Sequence, residues 1–236
     1  MAGITNGKFA LKLIPYGFDM VTLGGYNSDS KTIAAGKKIL LRGRSEFDIA
    51  KDDLINIIEK ETNLIKEKYP VKVSANLRAI SPDPIIEISK IKLLDVVEIN
   101  CHCRQKEILD IGCGQSMLED TDFLIDFIKN IVKKSKSQVS VKIRANVSGI
   151  DTLKVAKIID NLSVDYLHLD AMKPGLNYAD LNIISKVASE TDTFLIGNNS
   201  ITTIEDVDAM INNGADGISI ARAAINGKLN FNLKNV

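Results

Sequence analysis

The stretch Val96-Val-Glu-Ile-Asn-Cys101, the helical pattern that starts at Met117 and Leu118, and Val139-Ser-Val-Lys-Ile143 together decide the fold class. The first and last of these are short apolar, β-branched runs bounded by polar residues, which reads as strand. Between them Phe123, Leu124, Phe127, Ile128 and Ile131 recur on one helical face, and Lys133, Lys134 and Lys136 follow where cations suit the helix dipole. Strand, helix, strand is the right-handed βαβ unit of a parallel sheet. Working outward, the same signals place strands at Phe18–Leu23, Pro70–Leu77, Tyr166–Asp170, Thr193–Gly197 and Gly217–Ala221. A further helix face, Leu54, Ile57, Ile58, Leu64 and Ile65, belongs to a segment expected to open at Ser45 and Asp48. Seven strands alternating with helices point to a doubly wound sheet or a TIM (β/α)8 barrel. An eighth strand would have to lie at the start, where only Met1–Ile4 precede the first helical stretch, so a barrel here is expected to carry a truncated first strand.

The composition narrows the class of function. The chain has 236 residues, with 30 Lys+Arg against 30 Asp+Glu, so its formal net charge is zero. A clamp that neutralises many phosphates usually carries a basic excess, and none is present. A chain of this length can bury roughly 70–75% of its unfolded surface in one domain, and no linker, composition shift or repeat divides it, so residues 1–236 are read as a single domain. No apolar run approaches the roughly 18 residues of a membrane span, and no signal-peptide pattern opens the chain. A cytoplasmic protein without a membrane partner is expected. Three cysteines, two of them in Cys101-His-Cys103, suit a reduced compartment.

In parallel α/β folds, functional groups gather at the C-terminal ends of strands. The polar residues obey that rule: Asn100 and Cys103 close one strand, Lys142 and Arg144 the next, His168 and Asp170 the one after, and Gly197-Asn-Asn199 a fourth. Gly214-Ala-Asp-Gly217 opens the last strand and Ala221-Arg222 closes it. A lysine inside an apolar strand, such as Lys142, needs an anion or an electron-rich ring beside it. His168 between two leucines reads equally as a core histidine or as a site residue. Gly197 and Gly217 suit either packing or a phosphate nest. The cysteines and His102 invite a zinc reading, but only one residue separates Cys101 from Cys103, and no metal is expected.

These residues fall in an ordered pattern that resembles the flavin-binding barrel of tRNA-dihydrouridine synthases, a relative of the dihydroorotate dehydrogenases. Met1-Ala-Gly-Ile-Thr-Asn6 looks like that family's Pro-Met-Ala-Gly-Val-Thr-Asp turn, and Val97-Glu-Ile-Asn-Cys-His-Cys103 like its Asp-Ile-Asn-Met-Gly-Cys-Pro signature. Gly114-Gln-Ser-Met-Leu118 is similar to Gly-Ala-Ala-Leu-Leu, Val141-Lys-Ile-Arg144 to Val-Lys-Met-Arg, and Tyr166-Leu-His168 to the strand with the family's histidine. Gly197-Asn-Asn-Ser-Ile201 and Gly214-Ala-Asp-Gly-Ile-Ser-Ile-Ala-Arg222 look like Gly-Asn-Gly-Asp-Ile and Gly-Ala-Asp-Gly-Val-Met-Ile-Gly-Arg. Asn199 and Ala221 stand where the family has glycines. His102 and Arg104 replace the glycine and proline beside the cysteine, the arginine and threonine after the histidine are missing, and Ser74 or Asn76 takes the place of a flavin-contacting glutamine. The family's C-terminal helical domain has no counterpart.

The resemblance implies a bound FMN, re-reduced by NADPH or NADH, that exchanges hydride with the C5=C6 bond of a uracil ring. It assigns Cys103, Asn100 and Lys142 to catalysis. It assigns Met1, Ala2, Gly3, Asn100, Lys142, His168, Gly197, Asn198, Asn199, Ala221 and Arg222 to the cofactor. The substrate is a uracil in tRNA or, as in dihydroorotate and dihydropyrimidine dehydrogenases, a free small molecule. A barrel that has lost catalysis and serves as a binding protein is the alternative outside enzymology.

Overall fold

The computed structural model describes residues 2–234. Its strands are β1 Met20–Asn27, β2 Lys72–Arg78, β3 Val96–Cys101, β4 Gln138–Arg144, β5 Tyr166–Asp170, β6 Phe194–Asn198 and β7 Gly217–Ser219. The helices are α1 Gly7–Leu13, α2 Ser30–Leu41, α3 Leu54–Lys66, α4 Asp83–Ile88, α5 Lys106–Leu109, α6 Thr121–Lys134, α7 Thr152–Asp160, α8 Leu181–Ala188 and α9 Ile204–Asn212. All strand pairs are parallel and follow chain order, β1 to β7, in one curled sheet of TIM-barrel type.

Strand periodicity sorts the side chains into two layers. Odd-numbered positions such as Val73, Ala75, Leu77, Val97, Ile99, Val141, Ile143, Leu167 and Leu169 face the helices and form the main core. Even-numbered positions of β2 to β5 face the inside of the curl. Met20, Val96, Tyr166 and Ile196 form a separate apolar cluster inside the curl, and the rest of the inner face is lined by buried polar residues, Ser74, Asn76, Arg78, Glu98, Asn100, Ser140, Arg144, His168 and Asp170. The register aligns Asn100 with Lys142, Lys142 with His168, and His168 with Ile196, which brings the functional groups to one level.

Residues 2–5 form a turn rather than an eighth strand, and Thr5 makes a single antiparallel bridge to Gly24. The side between β1 and β7 is covered by Leu13, Ala224 and Leu229 with Phe9, Tyr16, Phe231 and Leu233, and the Leu233 amide donates to the Tyr16 carbonyl at 2.8 Å. Two other expectations are corrected. β1 lies further along the chain than Phe18–Leu23, because Gly24 pairs with Asn76 and Tyr26 with Leu77 across a register shift at Gly25. A Cβ at Gly25 would stand 2.6 Å from Asn76 Oδ1, so this close approach excludes larger residues. The helix expected to open at Ser45 and Asp48 starts only at Leu54, after a 3-10 turn at Lys51–Asp53. The segment 42–50 is an irregular strap instead, because it carries Glu46 into the interior.

Leu167 is fully buried on a central strand. Leu167→Ala is expected to lower the unfolding free energy by about 2–5 kcal/mol, measured by urea denaturation.

Candidate active site

The inner face is organised around one carboxylate. Glu98 Oε2 accepts from His168 Nδ1 at 2.7 Å and from Ser140 Oγ at 3.1 Å, and its Oε1 accepts from Asn76 Nδ2 at 2.7 Å. Burial works to raise the Glu98 carboxyl, but the adjacent His168 imidazole, the charge of Lys142 and the Asn76 bond outweigh it and hold the group well below the usual carboxylate range. With Nδ1–H donating to Glu98, His168 Nε2 is an acceptor, and Lys142 Nζ donates to it at 3.1 Å. Burial lowers both His168 and Lys142, with Lys142 also depressing its imidazole neighbour and Glu98 opposing the shift. The pattern is an ionised Glu98 and a neutral imidazole that bridges it to the Lys142 amine at the mouth.

From Asn76 the network turns toward Cys103. Asn100 Nδ2 donates to Asn76 Oδ1 at 2.7 Å, and Asn100 Oδ1 accepts the amides of Cys103 at 2.9 Å and His102 at 3.2 Å. The Cys103 carbonyl accepts the Gln115 amide at 2.9 Å. Gly114, at φ +65°, permits this approach, since a Cβ there would lie 2.5 Å from the Cys103 oxygen. Cys103 is half-buried, whereas Cys101 and Cys113 point into apolar core. Burial raises both core thiols, Cys113 to about 12. Among the described residues no group of three His, Cys, Asp or Glu side chains is arranged to hold a metal ion.

A second cluster forms the rim. Asp170 forms an ion pair with Arg144 Nη2 at 3.1 Å, lies 2.8 Å from His102 Nε2 and accepts from Asn199 Nδ2 at 2.7 Å, while Arg144 Nη2 is also 3.0 Å from His102 Nε2. Burial would raise Asp170, yet its bonds from His102 and Asn199 and the Arg144 charge keep it well below the usual range. His102 is pushed down to about 4, chiefly by burial. Asn199 at φ +129° and Ser200 at φ +51° keep left-handed backbone, so the glycine conformation persists at Asn199 without glycine. Asn198 Oδ1 is buried without a hydrogen-bond partner. Gly197 is a packing glycine, since a Cβ there would meet Met210 Sδ at 2.5 Å. Ala221 precedes a 3-10 turn at Arg222–Ala224, and the Arg222 side chain is exposed.

Of the residues singled out in the sequence, Asn100, Lys142 and Asn198 lie toward the C-terminal ends of β3, β4 and β6, His168 lies in the middle of β5, and Cys103, Asn199, Ala221 and Arg222 lie in the segments after β3, β6 and β7. Ala2 and Gly3 lie in the opening turn, where Gly3 packs against Ser45 and Glu46 of the strap. Met1 falls outside the described residues. Three participants escaped the sequence reading: Glu98, Arg78 and Glu46. Glu98 and Arg78 share the inward parity of Asn100 and Asn76, and that parity was the available signal. Of the two candidates on β2, Asn76 is the one hydrogen-bonded to Asn100.

The fold and the strand-end site define a TIM-type α/β barrel with a polar mouth. Residues 50–231 match the sequence profile of a family described as dihydrouridine synthase (Dus). An uncharacterized protein of Methanocaldococcus jannaschii is 35% identical over 239 residues, covering 98% of this chain and 89% of its own. A probable tRNA-dihydrouridine synthase of Helicobacter pylori is 20% identical over 234 residues, and the chain spans 65% of its length. Among solved structures, the fold is similar to a chain of the tryptophan synthase complex of Pyrococcus furiosus, with a TM-score of 0.59 and 13% identity over 94% of this chain and 90% of that one. It is also similar to the N-acetylmannosamine-6-phosphate 2-epimerase of Clostridium perfringens, with a TM-score of 0.56 and 13% identity over 92% of this chain and 78% of that one. The chain belongs to the dihydrouridine synthase family, which is a family of flavin-dependent oxidoreductases.

The two histidines set an acid limit on stability. A base whose folded value is depressed refuses the proton that the unfolded chain takes up. For His102 the stabilisation is therefore complete above about pH 6.5 and is lost as the pH falls toward 4, at no more than about 1.4 kcal/mol per pH unit, and His168 contributes in the same direction. Urea unfolding between pH 7 and 4 should show this slope, and His102→Asn should flatten part of it.

Proposed function

We propose that this chain is an FMN-dependent oxidoreductase of the tRNA-dihydrouridine synthase type, which moves hydride to or from the C5=C6 bond of a uracil ring. One observation carries the reading: in a member of this family, Asn100, Cys103 and Lys142 share the mouth through the continuous hydrogen-bond path that runs by way of Asn76, Glu98 and His168.

The residues present fit the cofactor. The orphaned acceptor Asn198 Oδ1 matches a ribityl hydroxyl donor. The turn at Asn199 and Ser200 has positive φ at both residues, a backbone form from which phosphate nests are built, and the Asn199 side chain is turned onto Asp170. Asn198, Asn199, Ala221 and Arg222 would hold the ribityl phosphate, while Lys142, Asn100, Asn76 and His168 would face the ring. Bound flavin would supply the hydride, with NADPH or NADH as its source.

This chain's own residues do the rest. Lys142 Nζ presents N–H donors beside accumulating negative charge, and Asn100 fixes the loop that presents the thiol. Cys103 Sγ–H gives its proton to C5 as hydride arrives at C6. A cytoplasmic setting goes with a thiol that must stay reduced. A free pyrimidine is the second reading of the substrate, favoured by the formal net charge of zero, which gives a large polyanion no overall attraction.

The test is a fluorescence titration with FMN followed by reduction assays on uracil in tRNA and on free uracil compounds. The expected result is stoichiometric flavin binding by both the wild-type chain and Cys103→Ala, with turnover in the variant reduced by roughly 10²-fold or more. Full activity in the variant, or no binding at micromolar FMN, overturns the proposal, and the latter result makes a non-catalytic binding barrel the better account.

A further inference from the structure

Arg78 closes β2 two residues beyond Asn76, and its side chain is 2% exposed. Its counterion is Glu46, delivered by the irregular strap and equally buried. The guanidinium is used almost completely. Nη2 donates to Glu46 Oε2 and to the Gly25 carbonyl at 2.9 Å, and Nη1 donates to Glu46 Oε1 at 3.3 Å and reaches Cys103 Sγ at 3.9 Å. Nε is buried without a partner. A strap with no regular structure of its own thus ends in a buried ion pair whose cationic member touches the half-buried thiol.

We propose that Arg78 is a positioning and charge-stabilising residue for Cys103, and that Glu46 sets how much of its charge the sulfur feels. The inference rests on the assignment of Cys103 as the acid. In that step the S–H bond breaks, the C5–H bond forms, hydride from the reduced flavin supplies the electron pair at C6, and the negative charge left on Sγ faces a guanidinium already in place. A donor aimed where charge develops, in a site shielded from water, needs no reorganisation when the proton leaves. Glu46 holds the fork in register through two parallel contacts and at the same time offsets its charge.

The two members of the pair therefore act on the sulfur in opposite directions, which a purely structural ion pair does not do. The readout is the rate at which iodoacetamide alkylates Cys103 at pH 7.5, in the full chain without flavin or substrate, so that it stands apart from the fate of the proposed reaction. Cys101 and Cys113 are fully buried, and Cys103→Ala, checked by peptide mass, confirms where the label goes. Glu46→Gln keeps one acceptor for the guanidinium and removes the offsetting charge, so alkylation should be roughly three- to tenfold faster than wild type. Arg78→Gln leaves Glu46 unpaired beside the thiol, and alkylation should slow by a similar factor. Arg78→Lys keeps the charge and should return the rate toward wild type. Should Arg78→Gln fail to fold by circular dichroism, Glu46→Gln and Arg78→Lys carry the test between them. Rates that move in the same direction in Glu46→Gln and Arg78→Gln, or an unchanged or slower rate in Glu46→Gln, overturn the proposal.

Discussion

An ionised glutamate inside the curl of a sheet is the constraint from which the rest of this structure follows. Taking one carboxylate out of water costs several kcal/mol unless charge and hydrogen bonds replace the lost hydration. Glu98 receives that replacement from Asn76 on β2, Ser140 and, through its charge, Lys142 on β4, and His168 on β5. Each partner has to be on the inner face at the matching level. The strand parity of β2 to β5 and the register of β3 with β4 and β4 with β5 are thereby tied to one atom pair, because a slip of one residue would turn every partner toward the helices.

The polar interior has two tiers with different work. The inner tier, from Lys142 through His168, Glu98, Asn76 and Asn100, is continuous and ends at the amide of Cys103, so the loop after β3 is positioned by the same network that satisfies the buried charge. The outer tier, centred on Asp170, joins β4, β5 and the turn after β6. Asn199 keeps a positive-φ backbone and spends its side chain on Asp170. The strap bearing Glu46 reaches the thiol loop through the Arg78 guanidinium and, at its start, through Arg42, whose Nη2 donates to Gln105 Oε1 at 3.1 Å.

Much of this was legible in the sequence. Val96–Cys101 and Tyr166–Asp170 were read with their observed bounds, because each is a short run with turn residues on both sides. β1 was not, since Gly24 and Gly25 carry no strand signal and join the sheet only through their fit against Asn76. Asn100, Lys142 and His168 were legible because each polar residue stands out from its apolar strand neighbours and matches a motif of the resemblance. Glu98 was hidden in mid-strand, where a lone acid reads as solvent-facing until three other strands surround it. Glu46 was hidden for a different reason: its segment has no periodicity, and its meaning comes from an arginine that is remote in sequence and adjacent only in the fold.

The distribution of Glu98's partners also bears on how the sheet can assemble. Strands are paired in chain order, so short pieces of the fold need only neighbouring segments, a topology that generally favours rapid docking of successive units. Yet the carboxylate is satisfied only when β2, β3, β4 and β5 stand together. A fragment holding two or three of them buries a charge it cannot pair, or leaves that charge wet and its inner face open. The group that organises the mouth therefore also penalises half-built sheets, and it converts a topology that could grow stepwise into one whose middle four strands form as a cooperative unit.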